Sequence, residues 1–181
     1  LIERLGVGSF GTVWKARDMD LDRTVAMKIP RKGRLELSEV EQFLREARTA
    51  AQLTHPNIVS VHEVGRDGDT IFIASDYVEG ATLANWLGDQ PIPSREAAKL
   101  CSVIALALHV AHEAGVVHRD LKPGNIMMDM RGEPHVMDFG LAKREAGEIT
   151  VTMDGAVLGT PAYMPPEQAA GKGHEADRRS D

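Results

Sequence analysis

The chain has 181 residues, 43% hydrophobic and 27% charged, the ordinary make-up of a soluble globular protein with one large domain or two small lobes. Its formal net charge of −6 argues against sequence-independent nucleic-acid binding, which needs basic surface, yet leaves room for one local phosphate pocket. The single cysteine, Cys101, allows no internal disulfide and suits a reducing compartment; its place in an apolar helical run predicts a small buried hydrophobe.

The opening residues do not read as a secretory signal. The longest near-apolar run, LCSVIALALHVA at 100–111, is too short to span a bilayer and carries His109, so no membrane segment is expected within these residues. Neither an internal repeat nor a low-complexity tract occurs.

Residues 1–30 read as three strands. LIERLGV and TVWKARD flank a Gly-rich turn, and TVAMKIP follows the polar connection DMDLDR. In the third strand Val25, Met27 and Ile29 face one way, Ala26 and Lys28 the other. A helix follows over SEVEQFLREARTAAQL. Ser38 and Glu41 form a capping box, and Val40, Phe43, Leu44, Ala47 and Ala51 recur at helical spacing. Glu46 falls at the edge of that apolar arc, where a carboxylate can lean toward a partner.

HPN at 55–57 ends the helix, and IVSVHEVGRDGDTIFIASDYV reads as a hairpin turning at GRDGD. Thr82 can cap a short helix over LANWL. Ser94 can cap a long one from 95 to about 114, ending at Gly115. Short strands are expected around NIMM and PHVM, and the last third is loop-rich. Strands thus dominate to about residue 78 and helices after it.

Three stretches carry chemistry. GVGSFGTV holds Gly6, Gly8 and Gly11, which permit a tight turn and close approach of backbone N–H groups to phosphate oxygens. A dinucleotide site would need a helix after the glycines, but TVWKARD alternates like a strand. The motif is therefore a hairpin flap over phosphates or a plain Gly-rich hairpin. Lys28, on the strand after the flap, could be braced by Glu46 and present a fixed ammonium to phosphate. VVHRDLKPGNIMM at 116–128 puts an Arg, an Asp, a Lys and an Asn between two apolar flanks, so its loop is polar where its neighbours are buried.

With VMDFG at 136–140, these stretches resemble eukaryotic-type protein kinases. GVGSFGTV is similar to the Gly-rich loop, VAMK at 25–28 to the strand-three lysine motif, and HRDLKPGN at 118–125 to the catalytic loop. DFG at 138–140 matches the metal-binding turn, and GTPAYMPPEQ at 159–168 the substrate-facing segment with its A-P-E motif. Five motifs in family order cover essentially the whole chain. The wording HPNIV, DYVEGATL and PAYMPPEQ is most similar to the bacterial serine/threonine kinases of this class.

The resemblance implies an α+β, bilobal fold: residues 1–78 an antiparallel-sheet N-lobe with one main helix, residues 79–181 a mostly helical C-lobe that is incomplete here. It implies an ATP-dependent serine/threonine protein kinase using Mg²⁺, or Mn²⁺ in its place. The alternative is a catalytically impaired nucleotide-binding or scaffold module; a small-molecule kinase is weaker, because GTPAY resembles a peptide-binding segment.

By resemblance, Asp120 accepts the substrate hydroxyl's proton, Lys122 offsets charge on the transferring phosphoryl group, and Asn125 and Asp138 hold the metal. Gly6, Val7, Gly8, Ser9 and Gly11 cover the phosphates, and Lys28 contacts them, paired with Glu46. Val13 and Ala26 pack on adenine, Ser75 lies at the back of that pocket, and the backbone of Asp76 to Val78 bonds its edge. Lys122 and Thr160 mark serine/threonine specificity. Arg119 is the arginine that pairs with a phosphorylated activation-loop residue, Thr150 or Thr152.

Implied partners are protein substrates and ATP, with a kinase dimer for autophosphorylation. The implied location is cytoplasmic, with any membrane anchor outside these residues.

Three departures accompany the match. Pro165 replaces a small residue, Glu167 lacks the later arginine it would pair with, and the sequence stops at RRSD. Asp181 resembles the acidic residue that ties down the catalytic loop. The chain is thus expected to be a fragment, poorly stable and weakly active alone.

Overall fold

In a computed structural model the residues described are 1–7, 11–30, 44–45, 47–68, 70–88, 92–139 and 161–181. They form two compact units, Leu1–Glu79 and Gly80–Asp181.

The first unit is built on a five-stranded antiparallel sheet. Its strands are β1 Glu3–Val7, β2 Gly11–Asp18, β3 Arg23–Pro30, β4 Val61–Asp67 and β5 Thr70–Asp76, in the order β1-β2-β3-β5-β4. The three strands expected within residues 1–30 and the hairpin after HPN are all present. β3 is central, which explains why only Val25 is fully buried while its other residues are half-buried on either face. A helix, α1, is described at 44–45 and 47–50 and buries Ala47 and Ala50. The expected Ser38–Glu41 capping box and Glu46 lie outside the described residues.

The second unit contains α2 Leu83–Leu87, α3 Ser94–Glu113 and α4 Pro166–Ala169. It also has a three-stranded antiparallel sheet of β6 Gly80–Thr82, β7 Ile126–Asp129 and β8 Pro134–Val136. Thr82 caps α2, its hydroxyl accepting the Asn85 N–H at 3.2 Å.

α3 buries Ile104, Ala107, Leu108 and Ala111 at helical spacing. Extended toward its N-terminus, that stripe reaches Leu100 and leaves Cys101 a step around the helix. Cys101 is exposed, which corrects the expectation of a buried thiol. The start of α3 also differs: Pro93 is the N-cap, its carbonyl accepts Glu96 and Ala97 N–H, and Ser94 makes no side-chain cap. At the other end Gly115, at φ +76, lets Val116 N–H reach the Ala111 carbonyl and its own N–H reach that of His112, closing a Schellman motif. No described helix is long and apolar enough to cross a membrane.

Candidate active site

The first unit places its candidate residues on adjoining strands. Val13 on β2 pairs with Lys28 on β3, and Lys28 pairs in turn with Ile73 on β5. One step along the sheet, Ala26 lies between Lys15 and Ser75, and the Ser75 hydroxyl donates to the Ala26 carbonyl at 3.5 Å. Gly6 and Val7 pair with Val13 and Thr12 at the mouth of the Gly-rich hairpin. Gly8, Ser9 and Glu46 lie outside the described residues.

At the end of β5, Asp76 is held from three directions. Its N–H donates to the Ser60 carbonyl at 3.0 Å, its Oδ2 accepts Ser60 N–H at 3.2 Å, and its Oδ1 lies 2.8 Å from His62 Nε2. The next residue, Tyr77, has the Lys15 ammonium 4.5 Å from its ring centroid. Val78 N–H has no backbone partner among the described residues. An extended backbone with its neighbours anchored and one donor open can bond the edge of a flat heterocycle.

In the second unit the polar loop between Val116 and Ile126 converges on Asp120. The Lys122 ammonium approaches that carboxylate at 3.0 Å from Oδ1 and 2.7 Å from Oδ2. The amide nitrogen of Asn125 donates to both the Asp120 carbonyl and its Oδ2, each at 2.8 Å. Both partners are acceptors, so the amide must point its nitrogen at them. The Asn125 Oδ1 is then left without a hydrogen bond among the described residues, a hard oxygen suited to a divalent cation. Asp138 is half-buried after β8.

His118 joins these pieces. It is fully buried; its Nδ1 accepts Asp120 N–H at 3.2 Å and its Nε2 donates to the Met137 carbonyl at 2.8 Å, next to Asp138. Its ring lies 4.9 Å from that of Phe139.

The backbone is strained at two of these places. Arg119 and Asp138 have φ of +69° and +67°, left-handed values that cost non-glycine residues about 1–3 kcal/mol and persist where surroundings impose them. The restraint at Arg119 is visible. Asp181, whose side chain is only 1% exposed, accepts Arg119 N–H at 2.7 Å, His118 N–H at 2.8 Å and a hydrogen bond from His112 Nε2 at 2.7 Å. The tie expected of Asp181 is therefore present, with His112 as an added member that its spacing did not reveal.

The Arg119 carbonyl accepts the amide of Gln168 on α4 at 2.8 Å. Among the described residues the buried Arg119 Nε has no hydrogen-bond partner. Glu167 accepts a hydrogen bond from Ser180, which, more than any other contact, holds its carboxyl below the usual range. Thr150, Thr152 and Thr160 lie outside the described residues.

The Gly-rich hairpin and strand-three lysine of the first unit, and the polar loop around Asp120 followed by Asp138 in the second, are the motifs of the protein kinase class in chain order. The chain belongs to the protein kinase domain family, which it matches over residues 1–181. It is 40% identical over 183 residues to the serine/threonine-protein kinase PknB of Mycobacterium leprae, covering 98% of this chain and 29% of that protein. It is 39% identical over 183 residues to PrkC of Bacillus subtilis, covering 100% and 28%. It is 44% identical over 193 residues to PksC of Streptomyces coelicolor, covering 100% and 34%. All three are named serine/threonine-protein kinases, and the chain spans only 28–34% of their length. Among solved structures, the Mycobacterium tuberculosis PknI kinase domain matches with a TM-score of 0.77 at 27% identity, over 99% of this chain and 67% of that one. The α+β kinase fold expected from the motifs agrees with this match, which covers part of the neighbour's chain.

Proposed function

We propose that this chain is the nucleotide-binding and catalytic part of a serine/threonine protein kinase that transfers the γ-phosphoryl group of ATP to protein hydroxyls. Residues 1–78 are its nucleotide-binding lobe and residues 79–181 part of its catalytic lobe. The observation that carries the reading is the environment of Asp120: one carboxylate with Lys122 at 2.7 Å and Asn125 at 2.8 Å.

Asp120 takes the proton of a serine or threonine hydroxyl as that oxygen bonds to the γ-phosphorus and the bond to the departing ADP oxygen breaks. Lys122 offsets charge on the phosphoryl oxygens. Positioning and charge stabilisation supply most of the rate in such transfers.

Val13 and Ala26 flank adenine, Ser75 lines the back of its pocket, and the backbone at Asp76 and Val78 bonds its edge. Gly6, Val7, Gly8, Ser9 and Gly11 would cover the phosphates, and Lys28, with Glu46 as its proposed partner, would contact them. Asn125 Oδ1 and the Asp138 carboxylate would hold Mg²⁺, or Mn²⁺, which offsets phosphate charge when bound.

Thr160 faces the substrate hydroxyl. Thr150 and Thr152 are autophosphorylation sites, modified within a kinase dimer. A phosphate there would supply an acceptor for Arg119 Nε–H, which has no hydrogen-bond partner among the described residues. The cytoplasm, where ATP is available, is the proposed site of action.

The test is phosphate transfer to a generic basic protein by the complete gene product, with Asp120→Asn beside it. Loss of a general base costs about 10²–10⁴-fold in kcat. Equal incorporation by both proteins would end the assignment. Mass spectrometry of the same incubation should find phosphate on residue 150 or 152; neither modified in an active sample would remove the autophosphorylation sites.

A further inference from the structure

Among the described residues His118 and Gln168 are the polar residues buried as whole residues, and both hold the same peptide bond. The peptide linking Arg119 to Asp120 presents its carbonyl to Gln168 Nε2 at 2.8 Å and its N–H to His118 Nδ1 at 3.2 Å. The preceding peptide is fixed through Arg119 N–H on Asp181 at 2.7 Å. Arg119 itself stands at φ +69°, a conformation a non-glycine side chain leaves readily when released. Rotating the plane of that one peptide would swing the Cα–Cβ bond of Asp120.

Gln168 comes from elsewhere in the sequence. It sits on the four-residue helix α4, opened by Pro165 and Pro166, 49 residues after its partner. Proline fixes φ at both positions and limits where the following turn can go. The side chain is 7% exposed, so its amide has no water to fall back on if the carbonyl moves away.

We propose that Gln168 is a positioning residue for phosphoryl transfer: its amide locks the Arg119–Asp120 peptide and so aims the Asp120 carboxylate. The inference rests on the kinase reading of Asp120. The contact through which Gln168 acts is the Arg119 carbonyl. Its effect is confined to the alignment of Asp120, so it belongs in kcat and leaves the KM for ATP unchanged.

The experiment compares the complete gene product with Gln168→Met, which keeps the volume and removes the donor, and Gln168→Glu, which puts an acceptor where the donor was. Wild type and Asp120→Asn are assayed first. No transfer by wild type would sink the kinase reading itself, whereas an active wild type isolates the present question.

Misalignment by a fraction of an ångström to one ångström should lower kcat on the order of 10- to 100-fold, with the KM for ATP within about twofold. Circular dichroism should show both variants folded. A kcat within twofold of wild type in either folded variant overturns the proposal. If the Met variant fails to fold, the Glu variant decides by the same measurement. Failure of both to fold, or a rise in KM that matches the fall in kcat/KM, would make Gln168 a packing residue and overturn it equally.

Discussion

A Cβ on Gly11 would lie 2.1 Å from the Ile29 carbonyl oxygen and 2.8 Å from Pro30 Cα, so any side chain there would wedge β2 away from β3. A Cβ on Gly6 would meet nothing within 4 Å. The fold accounts for Gly11 and leaves Gly6 to be explained by whatever approaches the backbone from outside. Gly11→Ala should therefore cost about 1–3 kcal/mol of stability, as overpacking does, measured by urea unfolding. Gly6→Ala should leave the unfolding midpoint in place and raise the KM for ATP roughly tenfold, the scale expected for displacing a bound group by less than an ångström. Equal losses of stability in both variants, or an unaltered KM in Gly6→Ala, would remove phosphate approach as the reason for Gly6.

Strands β4 and β5 show what one element does for a residue at its end. The β4–β5 register passes from Val61↔Ser75 to Glu63↔Ala74, so His62 is the extra residue of a β-bulge, and its ring reaches Asp76. With the Ser60 bonds on one side and Lys15 over Tyr77 on the other, residues 76–77 are anchored before the open N–H of Val78. The His62–Asp76 pair is partly exposed, and such pairs are worth about 0.2–1 kcal/mol. His62→Ala should raise the KM for ATP by no more than about fivefold and leave kcat alone, as a steady-state titration against ATP would show. A fall in kcat would mean that His62 acts beyond the adenine-binding backbone. Periodicity makes β4, β5 and the buried stripe of α3 legible in the sequence. The bulge is not legible, because it exists only in the pairing of two strands. Cys101 was misread for a related reason: an apolar run names a helix, but the buried face depends on what that helix packs against.

Over the whole molecule, the legible part of the site is what sits together in sequence. Asp120, Lys122 and Asn125 fall within six residues, and their mutual contacts follow from one loop. The ties that hold that loop do not: Gln168 lies 49 residues from Arg119, and Asp181 lies 62 to 69 residues from its three donors. No local pattern states which distant polar side chain will meet which backbone N–H; resemblance alone pointed to Asp181, and nothing pointed to His112 or Gln168. The contacts of Asp181 differ in kind. Two are backbone N–H groups that cannot be moved without bending the strained loop, and one is a histidine ring on α3 that can turn. Leaving sheltered donors unpaired costs about 1–3 kcal/mol each, so Asp181→Ala should lose about 2–5 kcal/mol by urea unfolding and lower kcat as Arg119 relaxes. His112→Ala removes the ring and leaves both backbone bonds, so it should cost about 1–3 kcal/mol, less than Asp181→Ala, and keep kcat near wild type. If His112→Ala proved as damaging as Asp181→Ala, the His112 contact and not the backbone grip would be what fixes the Asp120 loop.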